Sequence, residues 1–488
     1  MAIWALDLSH VSYAITGFFV AYSVYYLILF AATCRTKKTT SGTSNKTKFL
    51  VLIPAHNEEA VIGDICSDLL NQSYPRDLYR VIVVADNCTD GTARVVKGFG
   101  QEVLICAERR SEVKGKGAAL DFALDNVRRL VDGFEPDYVV VFDADNRVPN
   151  DFLSSLSSNA KGFEAIQCNV KTKNPDSSWI ARASYYEGLI LQRLWQCGKD
   201  RLGLCAALEG TGEAIRYDVI SRLKFGNSLT DDFDLTVRLA KDGIRVRYLQ
   251  HPCTYDEKPD DVMIEVKRRI RWATGHFQTF FHNGSALLKK PSRLTLDAFF
   301  YFTNMISPLI LMVSWATTIL VSFGVAKTVV LPPALTIALA LIIFPILVTV
   351  SWMEGDNGFL RNLPLFYALT ALWLIAAPIG LVKSVFGCGG WDRTPHKFTS
   401  GKIGIVQGSL AASPVAAPST AIKTCDEKWL KVTPSFECHC RGACIGDFGR
   451  KTGVREDGCE GPRTGLSDIS CLNVIGINVT TAHVLLLR

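Results

Sequence analysis

Four long apolar stretches, each nearly free of charge, most constrain what this chain of 488 residues can fold into. They cover residues 11–34, 299–325, 331–352 and 363–386. Each is long enough to cross roughly 30 Å of hydrocarbon. A buried core helix of that length is the alternative, but core helices seldom lack a charged face over so many residues. The chain is therefore predicted to be an integral protein of the cell membrane with several crossings.

The first apolar stretch is predicted to be a retained anchor. A signal peptide carries basic residues ahead of its apolar part, and none precedes this stretch. Basic residues instead follow it, as expected when the downstream side is cytosolic. They are Arg35, Lys37, Lys38, Lys46 and Lys48. The large domain that follows is therefore expected to face the cytosol.

The net charge of +6 predicts no nucleic-acid partner, because Lys and Arg beside membrane segments already explain a basic bias.

Eight of the 15 cysteines precede residue 260 without metal-like spacing, and we expect them to be reduced and mostly buried. Six more lie in a tail over residues 399–488, and the sequence is compatible there with either a disulfide module or a zinc module. Four crossings would leave this tail outside the cytosol, whereas the basic residues Lys383, Arg393 and Lys397 argue for the inside. This conflict over the side of the tail disappears if one of the four apolar stretches lies at the membrane surface instead of crossing the membrane.

Strands and helices alternate from residue 49 to residue 142. This order predicts an α/β domain with a doubly wound, mostly parallel sheet. The predicted strands are 49–53, 80–84, 103–106 and 138–142, and the predicted helices are 60–71, 93–98 and 118–131, with Thr89 or Asp90 as the N-cap of the second helix.

Polar side chains follow three of these strands, where open α/β folds bind ligands. Asp86 can accept hydrogen bonds from a base or ribose, and Lys114 and Lys116 stand in a glycine-rich turn that can approach a phosphate. Asp143 and Asp145 suit Mg²⁺ or Mn²⁺ bound to a diphosphate. Each group alone is ordinary turn chemistry, but together they favour a nucleotide site.

Two further groups follow in the second half of the domain. Asp231 and Asp232 begin a predicted helix, where they either satisfy the helix dipole or include a general base. Arg268, Arg271 and Trp272 share one face of a helix predicted over residues 262–280. Two guanidinium groups can hold a leaving diphosphate and an indole can face a sugar ring. The alternative is a basic helix that lies on anionic lipid.

Taken in order, these motifs resemble the membrane-embedded family-2 glycosyltransferases, the group that contains cellulose, chitin, hyaluronan and poly-N-acetylglucosamine synthases. The resemblance covers residues 49–397. The matching motifs are Pro54-Ala55-His56-Asn57-Glu58, Asp86, Lys116-Gly117, Asp143-Ala144-Asp145, Gly210-Thr211-Gly212, Thr230-Asp231-Asp232, Glu257-Lys258-Pro259, Arg268-Arg269-Ile270-Arg271-Trp272 and Trp391-Asp392-Arg393-Thr394-Pro395.

The resemblance implies a GT-A fold and an inverting transfer from a nucleotide sugar, with UDP-N-acetylglucosamine or UDP-glucose as the expected donor. It implies that Asp232 is the catalytic base and that Asp143 and Asp145 bind Mg²⁺ or Mn²⁺. The nucleotide sugar would be bound by Pro54, Glu58, Asp86, Lys116 and Asp143. The acceptor and pyrophosphate end would be formed by Gly210, Thr211, Asp231, Arg268, Arg271 and Trp272.

Two positions depart from the family pattern: Asp231 stands where Glu is usual and Arg268 where Gln is usual. The first expectation is a synthase that extends a polysaccharide at the membrane, with accessory or export subunits as possible partners. Its rivals are an enzyme that adds one sugar to a lipid or lipid-linked acceptor, and a non-catalytic membrane scaffold. The predicted domains are an anchor with a basic linker (1–47), the GT-A domain (48–290), membrane or interface helices (291–398) and the tail (399–488).

Overall fold

The computed structural model describes residues 9–34, 46–100, 102–289, 291–303, 305–325 and 333–387. The predicted tail, its cysteines, the Trp391-Asp392-Arg393-Thr394-Pro395 motif, Lys397 and the basic residues Arg35, Lys37 and Lys38 lie outside these residues. The strands within the described ranges are β1 (Phe49–Ala55), β2 (Tyr79–Asp86), β3 (Leu104–Arg109), β4 (Tyr138–Val141), β5 (Ala165–Thr172), β6 (Glu213–Arg216) and β7 (Val246–Asp256).

The α-helices within the same ranges precede the sheet in the chain, surround it or follow it. They are α1 (Ser9–Thr33), α2 (Ile62–Leu70), α3 (Thr92–Lys97), α4 (Lys116–Asp125), α5 (Val127–Leu130), α6 (Phe152–Ala160), α7 (Trp179–Ile190), α8 (Cys197–Leu202), α9 (Tyr217–Leu223), α10 (Asp231–Lys241), α11 (Val262–Lys289), α12 (Arg293–Thr303), α13 (Ser307–Ser322), α14 (Pro333–Met353), α15 (Phe359–Ala371) and α16 (Trp373–Val385). A short 3₁₀ turn spans Arg76–Leu78, and a π-helical segment, Leu191–Gln196, joins α7 to α8.

The seven strands form one mixed sheet in the order β3-β2-β1-β4-β6-β5-β7. β1 pairs in parallel with β2 and β4, and β2 pairs in parallel with β3. β6 is antiparallel to both of its neighbours, β4 and β5. The predicted α/β class with a mostly parallel sheet is confirmed. The β6 strand was not predicted, because four residues are too few to show a period.

Both faces of the sheet are buried, which explains why its central strands are nearly continuous apolar runs. Along β1, Phe49, Val51 and Ile53 pack on one face and Leu50 and Leu52 on the other. α2 and α6 cover the first face, and α4 and α10 cover the second. This packing holds the strand ends in fixed positions at the edge where ligands bind.

The sheet edge at the carboxyl ends of β1, β2 and β4 is a topological switch point, because the chain order reverses between β1 and β4. The antiparallel β6 brings its amino-terminal end to the same edge. The N–H of Gly212 donates to the carbonyl of Val141 at 2.9 Å. The loop before β6 therefore lies beside Asp143, although it is far away in sequence.

The described residues contain two helices that are long and apolar enough to cross a membrane, Ser12–Thr33 and Phe359–Val385, the second formed by α15 and α16. A third span is possible if the bent pair Arg293–Phe302 and Ser307–Ser322, which meet at 48°, acts as one. Leu341–Met353 is a shorter apolar helix. Membrane association is thus supported, while the predicted number of crossings and the cytosolic side remain predictions.

Several element boundaries differ from the sequence predictions; α11, for example, continues to Lys289 instead of ending at residue 280. The predicted helix over residues 118–131 is divided at Asn126 into α4 and α5. The predicted N-cap of α3, Thr89 or Asp90, is also wrong: Gly91 is the cap residue, and Asp90 instead accepts a hydrogen bond from the N–H of Thr92 at 3.0 Å. Asp90 therefore caps the helix from one position further out, in the manner of an Asx turn.

Candidate active site

One cavity of about 1170 Å³ opens at the switch-point edge and continues between the apolar helices. All of the site residues predicted from the sequence line it. They are Pro54, Glu58, Asp86, Lys116, Asp143, Asp145, Gly210, Thr211, Asp231, Asp232, Arg268, Arg271 and Trp272. The fold thus brings together residues that are spread over more than two hundred positions of the chain.

Asp86, the last residue of β2, is held by a partner that the sequence did not reveal. Arg109 ends the neighbouring strand β3 opposite Asp86, and its Nη1 donates to Asp86 Oδ1 at 2.6 Å. Both side chains are only 9% exposed. His56 Nδ1 lies 2.7 Å from the carbonyl oxygen of Asp86. The pair is fixed in a buried setting, and Asp86 Oδ2 is the oxygen left to accept from a ligand.

Lys116 begins α4 and joins three parts of the site. Its Nζ donates to Asp143 Oδ1 at 2.5 Å and to the carbonyl of Gly210 at 2.7 Å. Burial alone would lower the pKa of Lys116, but the charges of Asp143, Asp231 and Glu213 raise it instead. The ammonium group is therefore a permanent cation, whereas the predicted companion Lys114 lines the cavity as an exposed side chain.

Asp143 and Asp145 follow β4 at the cavity edge. The Asp143 side chain is 40% exposed, and Asp145 is nearly buried. Within the described ranges, no cluster of three or more His, Cys, Asp or Glu side chains is arranged to hold a metal ion. Mg²⁺ and Mn²⁺ often take one or two protein carboxylates and complete their coordination with diphosphate oxygens and water. The two carboxylates fit a divalent ion of that kind, which would arrive with the diphosphate.

Asp231 and Asp232 form the first turn of α10. Asp232 Oδ1 accepts from the N–H of Phe233 at 2.7 Å. A Cβ placed on Gly210 would lie 3.4 Å from Asp232 Oδ2 and 3.0 Å from Lys116 Nζ, so the glycine allows both groups to approach. Burial, followed by the charge of Asp231, raises the pKa of Asp232 to about 7, and the charge of Lys116 opposes this rise. Asp232 is thus poised to exchange a proton near neutral pH.

The basic residues of α11 have different surroundings. Arg269 is fully buried and binds Glu187 and Glu265, so it holds α11 to α7. Arg268 pairs with Glu265 at 2.8 Å and lies 4.5 Å from the centre of the Trp272 ring. Arg271, by contrast, forms no hydrogen bond or ion pair in the part of the chain that is described. Its guanidinium group faces the cavity and is available to an anionic ligand.

The far end of the cavity is apolar. Side chains from the candidate membrane helices α1, α13, α15 and α16 line it. Examples are Tyr26, Leu311, Trp315, Tyr367 and Leu374. A polar region with carboxylates and cations therefore continues directly into one suited to hydrocarbon.

Sequence reasoning missed several residues of this cavity because their contacts are not local. Arg109 is identified only by strand register, and Glu209 and His276 only by the cavity they share with Asp232. The motif Glu209-Gly210-Thr211-Gly212 was noted as a loop, and its first residue carried no assigned role.

Comparison with known proteins agrees with this fold. Residues 47–275 match the family model described as Glycosyltransferase like family 2. The probable glycosyltransferase YdaM of Bacillus subtilis is 28% identical over 267 residues, which cover 52% of this chain and 61% of that protein. The β-monoglucosyldiacylglycerol synthase of a Nostoc species is 28% identical over 261 residues, which cover 52% of this chain and 55% of that protein.

The corresponding synthase of a Synechocystis species is 30% identical over 236 residues, covering 47% of this chain and 48% of that protein. The chain thus spans about half to three fifths of the length of these curated relatives. A solved mannosyltransferase, PcManGT from Pyrobaculum calidifontis, in complex with GDP-Man and Mn²⁺, has a TM-score of 0.53 and 20% identity. It covers 78% of this chain and 99% of its own. That structure supports the GT-A fold. The α/β region of this chain, residues 47–275, is a glycosyltransferase family 2 domain.

Proposed function

We propose that this protein transfers a sugar from a nucleotide diphosphate sugar to an acceptor with a lipid part at the membrane. The observation that carries the proposal is the continuous cavity. It joins Asp86, Lys116 and Arg271 at one end to the apolar side chains of the candidate membrane helices at the other. A nucleotide sugar suits the first end, and a lipid chain suits the second.

The donor end supplies complementary groups for each part of a nucleotide sugar. Asp86 Oδ2 would accept from the base or ribose, and the unpaired Arg271 would hold the diphosphate with help from Lys116. Asp143 and Asp145 would hold Mg²⁺ or Mn²⁺ together with that diphosphate, and the complex of PcManGT with GDP-Man and Mn²⁺ supports a metal of this class. UDP-N-acetylglucosamine and UDP-glucose remain the proposed donors, on the family resemblance.

The chemistry requires one proton transfer and one displacement. Asp232 would take the proton of the acceptor hydroxyl, whose oxygen forms a bond to C1 of the sugar as the bond from C1 to the diphosphate breaks. When bound, the divalent ion supplies positive charge that stabilises the departing diphosphate. Arg271 would hold the same anion from the protein side. Attack opposite the leaving group inverts C1 without a covalent sugar-enzyme intermediate.

The apolar end favours a lipid acceptor over the growing polysaccharide that we first expected. The named activity of the Nostoc and Synechocystis relatives, β-monoglucosyldiacylglycerol synthase, also has a lipid acceptor. In this proposal the cavity opens to lipid, several helices span the membrane and the sheet domain lies in the cytosol. Detection of a polymeric product would instead favour the polysaccharide synthase.

The proposal is tested by nucleoside diphosphate release from purified protein with a panel of UDP- and GDP-sugars, lipid acceptors, and Mg²⁺, Mn²⁺ or a chelator. Asp232→Asn should reduce release about a hundredfold or more, because removal of a general base costs at least that factor. Asp242→Asn is the matched control, since Asp242 lies at the other end of α10 and pairs with the exposed Arg222. Equal rates for wild type and Asp232→Asn would favour the non-catalytic scaffold.

A further inference from the structure

A polar surface of the cavity, next to Asp232, is rich in groups that accept hydrogen bonds. We call it the Glu209 wall, and it consists of Glu209, Gln192, Gln196 and His276. All but Gln196 line the cavity directly. It lies close to the reacting centre, because Glu209 precedes Gly210 and the His276 ring stacks on Phe233 at 3.9 Å.

Two glutamine amides fix the carboxylate of Glu209 from one side. Gln196 is itself fixed, since its Oε1 accepts from the N–H of Ala207 at 2.8 Å and its Nε2 donates to the carbonyl of Ala207 at 2.8 Å. The same Nε2 donates to Glu209 Oε1 at 2.6 Å. Gln192 Nε2 donates to both carboxylate oxygens at 2.8 Å. Glu209 Oε1 thus has two donors and Oε2 has one, which leaves Oε2 room for another.

The orientation of Gln192 is set by Glu209. Because the Gln192 amide nitrogen faces the carboxylate, its Oε1 points away and is fully buried, without a hydrogen-bond partner among the described residues. Gln192 is 7% exposed. Gln192 and Gln196 both belong to the π-helical segment Leu191–Gln196, a rare form that often occurs at functional sites.

His276 supplies a second acceptor at the cavity. Its Nδ1 lies 2.8 Å from the carbonyl oxygen of Trp272, and because a carbonyl cannot donate, Nδ1 carries the proton. Burial lowers the pKa of His276 to about 4, so the ring is neutral at physiological pH and Nε2 has a free lone pair. In the part of the chain that is described, Nε2 has no hydrogen-bond partner.

Two hydrogen-bond acceptors at the cavity, Glu209 Oε2 and His276 Nε2, have room for a further donor, so they suit a ligand that brings donors. A phosphate brings none, and above pH 7 it would meet the charged carboxylate of Glu209, whose pKa burial raises to about 7. Lys258, whose charge acts on Glu209, is already paired with Asp256 at 2.8 Å. A hydroxyl group donates one hydrogen bond, so neighbouring hydroxyls match this surface.

We propose that the Glu209 wall binds a group with several hydroxyls, such as a sugar or another polyol, through Glu209 Oε2 and His276 Nε2, while Gln192 and Gln196 hold the Glu209 carboxylate in place. The inference rests on the proposed transfer reaction and narrows its substrates. The reacting hydroxyl gives its only proton to Asp232, so the wall takes other hydroxyls. These come from the sugar of the donor or from a glycosylated head group of the acceptor, and a lipid phosphate is excluded as the group at this surface.

Binding of simple probes tests the wall without any turnover. Protein in lipid nanodiscs is titrated with hexyl β-glucoside and with hexyl phosphate in a calorimeter. We expect the glucoside to bind about tenfold or more tightly than the phosphate, and Glu209→Gln and His276→Phe each to weaken glucoside binding by a similar factor, as expected for loss of a hydrogen bond to a charged or buried group. Equal binding of the two probes, or wild-type binding by both variants, would overturn the proposal.

The matched control is His282→Phe. His282 lies on the same helix and its Nδ1 makes the same contact, 2.7 Å from the carbonyl oxygen of Gln278, but its side chain is exposed. It should bind both probes as the wild type does. Unchanged thermal unfolding and unchanged affinity for free nucleoside diphosphate establish that each wall variant is folded.

A second arm separates the two sources of hydroxyls. The wild type is expected to bind the nucleotide sugar more tightly than the free nucleoside diphosphate. If the wall holds the donor sugar, the variants lose this difference in affinity. If it holds the acceptor head group, nucleotide-sugar affinity is unchanged and the KM for a glycolipid acceptor rises about tenfold. An absence of both effects contradicts the wall. Failure of turnover in the wild type, with probe binding intact, would instead count against the transfer reaction alone.

Discussion

Asp232 illustrates how opposing influences act on a single side chain. The N–H of Phe233 and the first turn of α10 favour its charged form, while burial and the charge of Asp231 oppose it. Its pKa is raised to about 7 as a result. A base must be deprotonated to act, so the active fraction declines as the pH falls through this value.

We therefore predict that kcat/KM falls on acidification below about pH 7, in step with protonation of Asp232. Asp231→Asn removes the neighbouring like charge that helps to raise this pKa, so the acidic limb should move to lower pH. The measurement is the pH profile of both proteins with one donor and one acceptor. If kcat/KM of both proteins falls at the same pH, the charge of Asp231 does not raise the pKa of Asp232 and the prediction is wrong.

A second prediction concerns the buried pair of Asp86 and Arg109. Arg109→Leu would leave the carboxylate of Asp86 buried without its cation, which costs about 3–5 kcal/mol of folding stability when a buried pair is broken. Chemical denaturation measures the loss. Lys97→Leu is the control, because Lys97 pairs with Glu108 at an exposed, solvent-screened site and its loss should reduce stability far less. Similar losses for both variants would mean that Asp86 does not depend on Arg109.

Among the helices, close packing against α16 positions the basic face of α11. A Cβ on Gly380 of α16 would clash with the Cβ of Ala273 and would lie 2.9 Å from the N of Thr274 in α11. Small residues permit this approach between helices. The same contact places Trp272 and Trp373 with ring centres 6.4 Å apart beside the cavity.

We predict that Gly380→Leu separates α11 from α16 and destabilises the protein by about 1–3 kcal/mol, the usual cost of overpacking. Thermal unfolding in detergent measures the change. Gly17→Leu on α1 is the control, because a Cβ at Gly17 has nothing within 4 Å. Ala273→Gly should partly rescue Gly380→Ala, since it removes the nearest of the clashing atoms. No rescue would mean that the Thr274 backbone alone sets the limit.

How far the sequence predicts these elements depends on whether the contacts are local. The strands β1, β2 and β4 were predicted, because buried parallel strands are continuous apolar runs that end in polar turns. The proximity of Gly210 to Asp143 was not predictable, since it depends on antiparallel pairing of the short β6 with β4. The orientation of Glu209 likewise depends on a π-helical segment in another part of the chain. The roles of the predicted site residues, including Arg268 and Trp272, remain predictions.

At the scale of the whole molecule, the first apolar helix is attached to the domain rather than merely tethered. Tyr25 of α1 donates to Asp297 Oδ1 of α12 at 2.5 Å, and Lys199 of α8 pairs with Asp297 Oδ2 at 3.2 Å. Leu29 and Tyr22 pack with Trp195, which lines the cavity. The apolar end of the cavity is thus built jointly by α1 and by the helices after the sheet domain.

The proposed topology places Cys34, the exposed cysteine at the end of α1, on the cytosolic side. We predict that a membrane-impermeant maleimide labels Cys34 only after the cells are permeabilised. Cys34→Ser gives the comparison, because the difference between the two proteins reports this thiol alone. Labelling of Cys34 in intact cells would reverse the proposed orientation.

The central claim is that one cavity joins sugar transfer to a lipid acceptor. The most direct measurement is the transfer of radiolabelled sugar from the preferred nucleotide sugar into products made by purified protein in lipid nanodiscs, with Asp232→Asn in parallel. The account predicts a label that partitions into organic solvent as one small glycolipid and is lost in the variant. A water-soluble polymer of increasing length, or equal labelling by the variant, would contradict it.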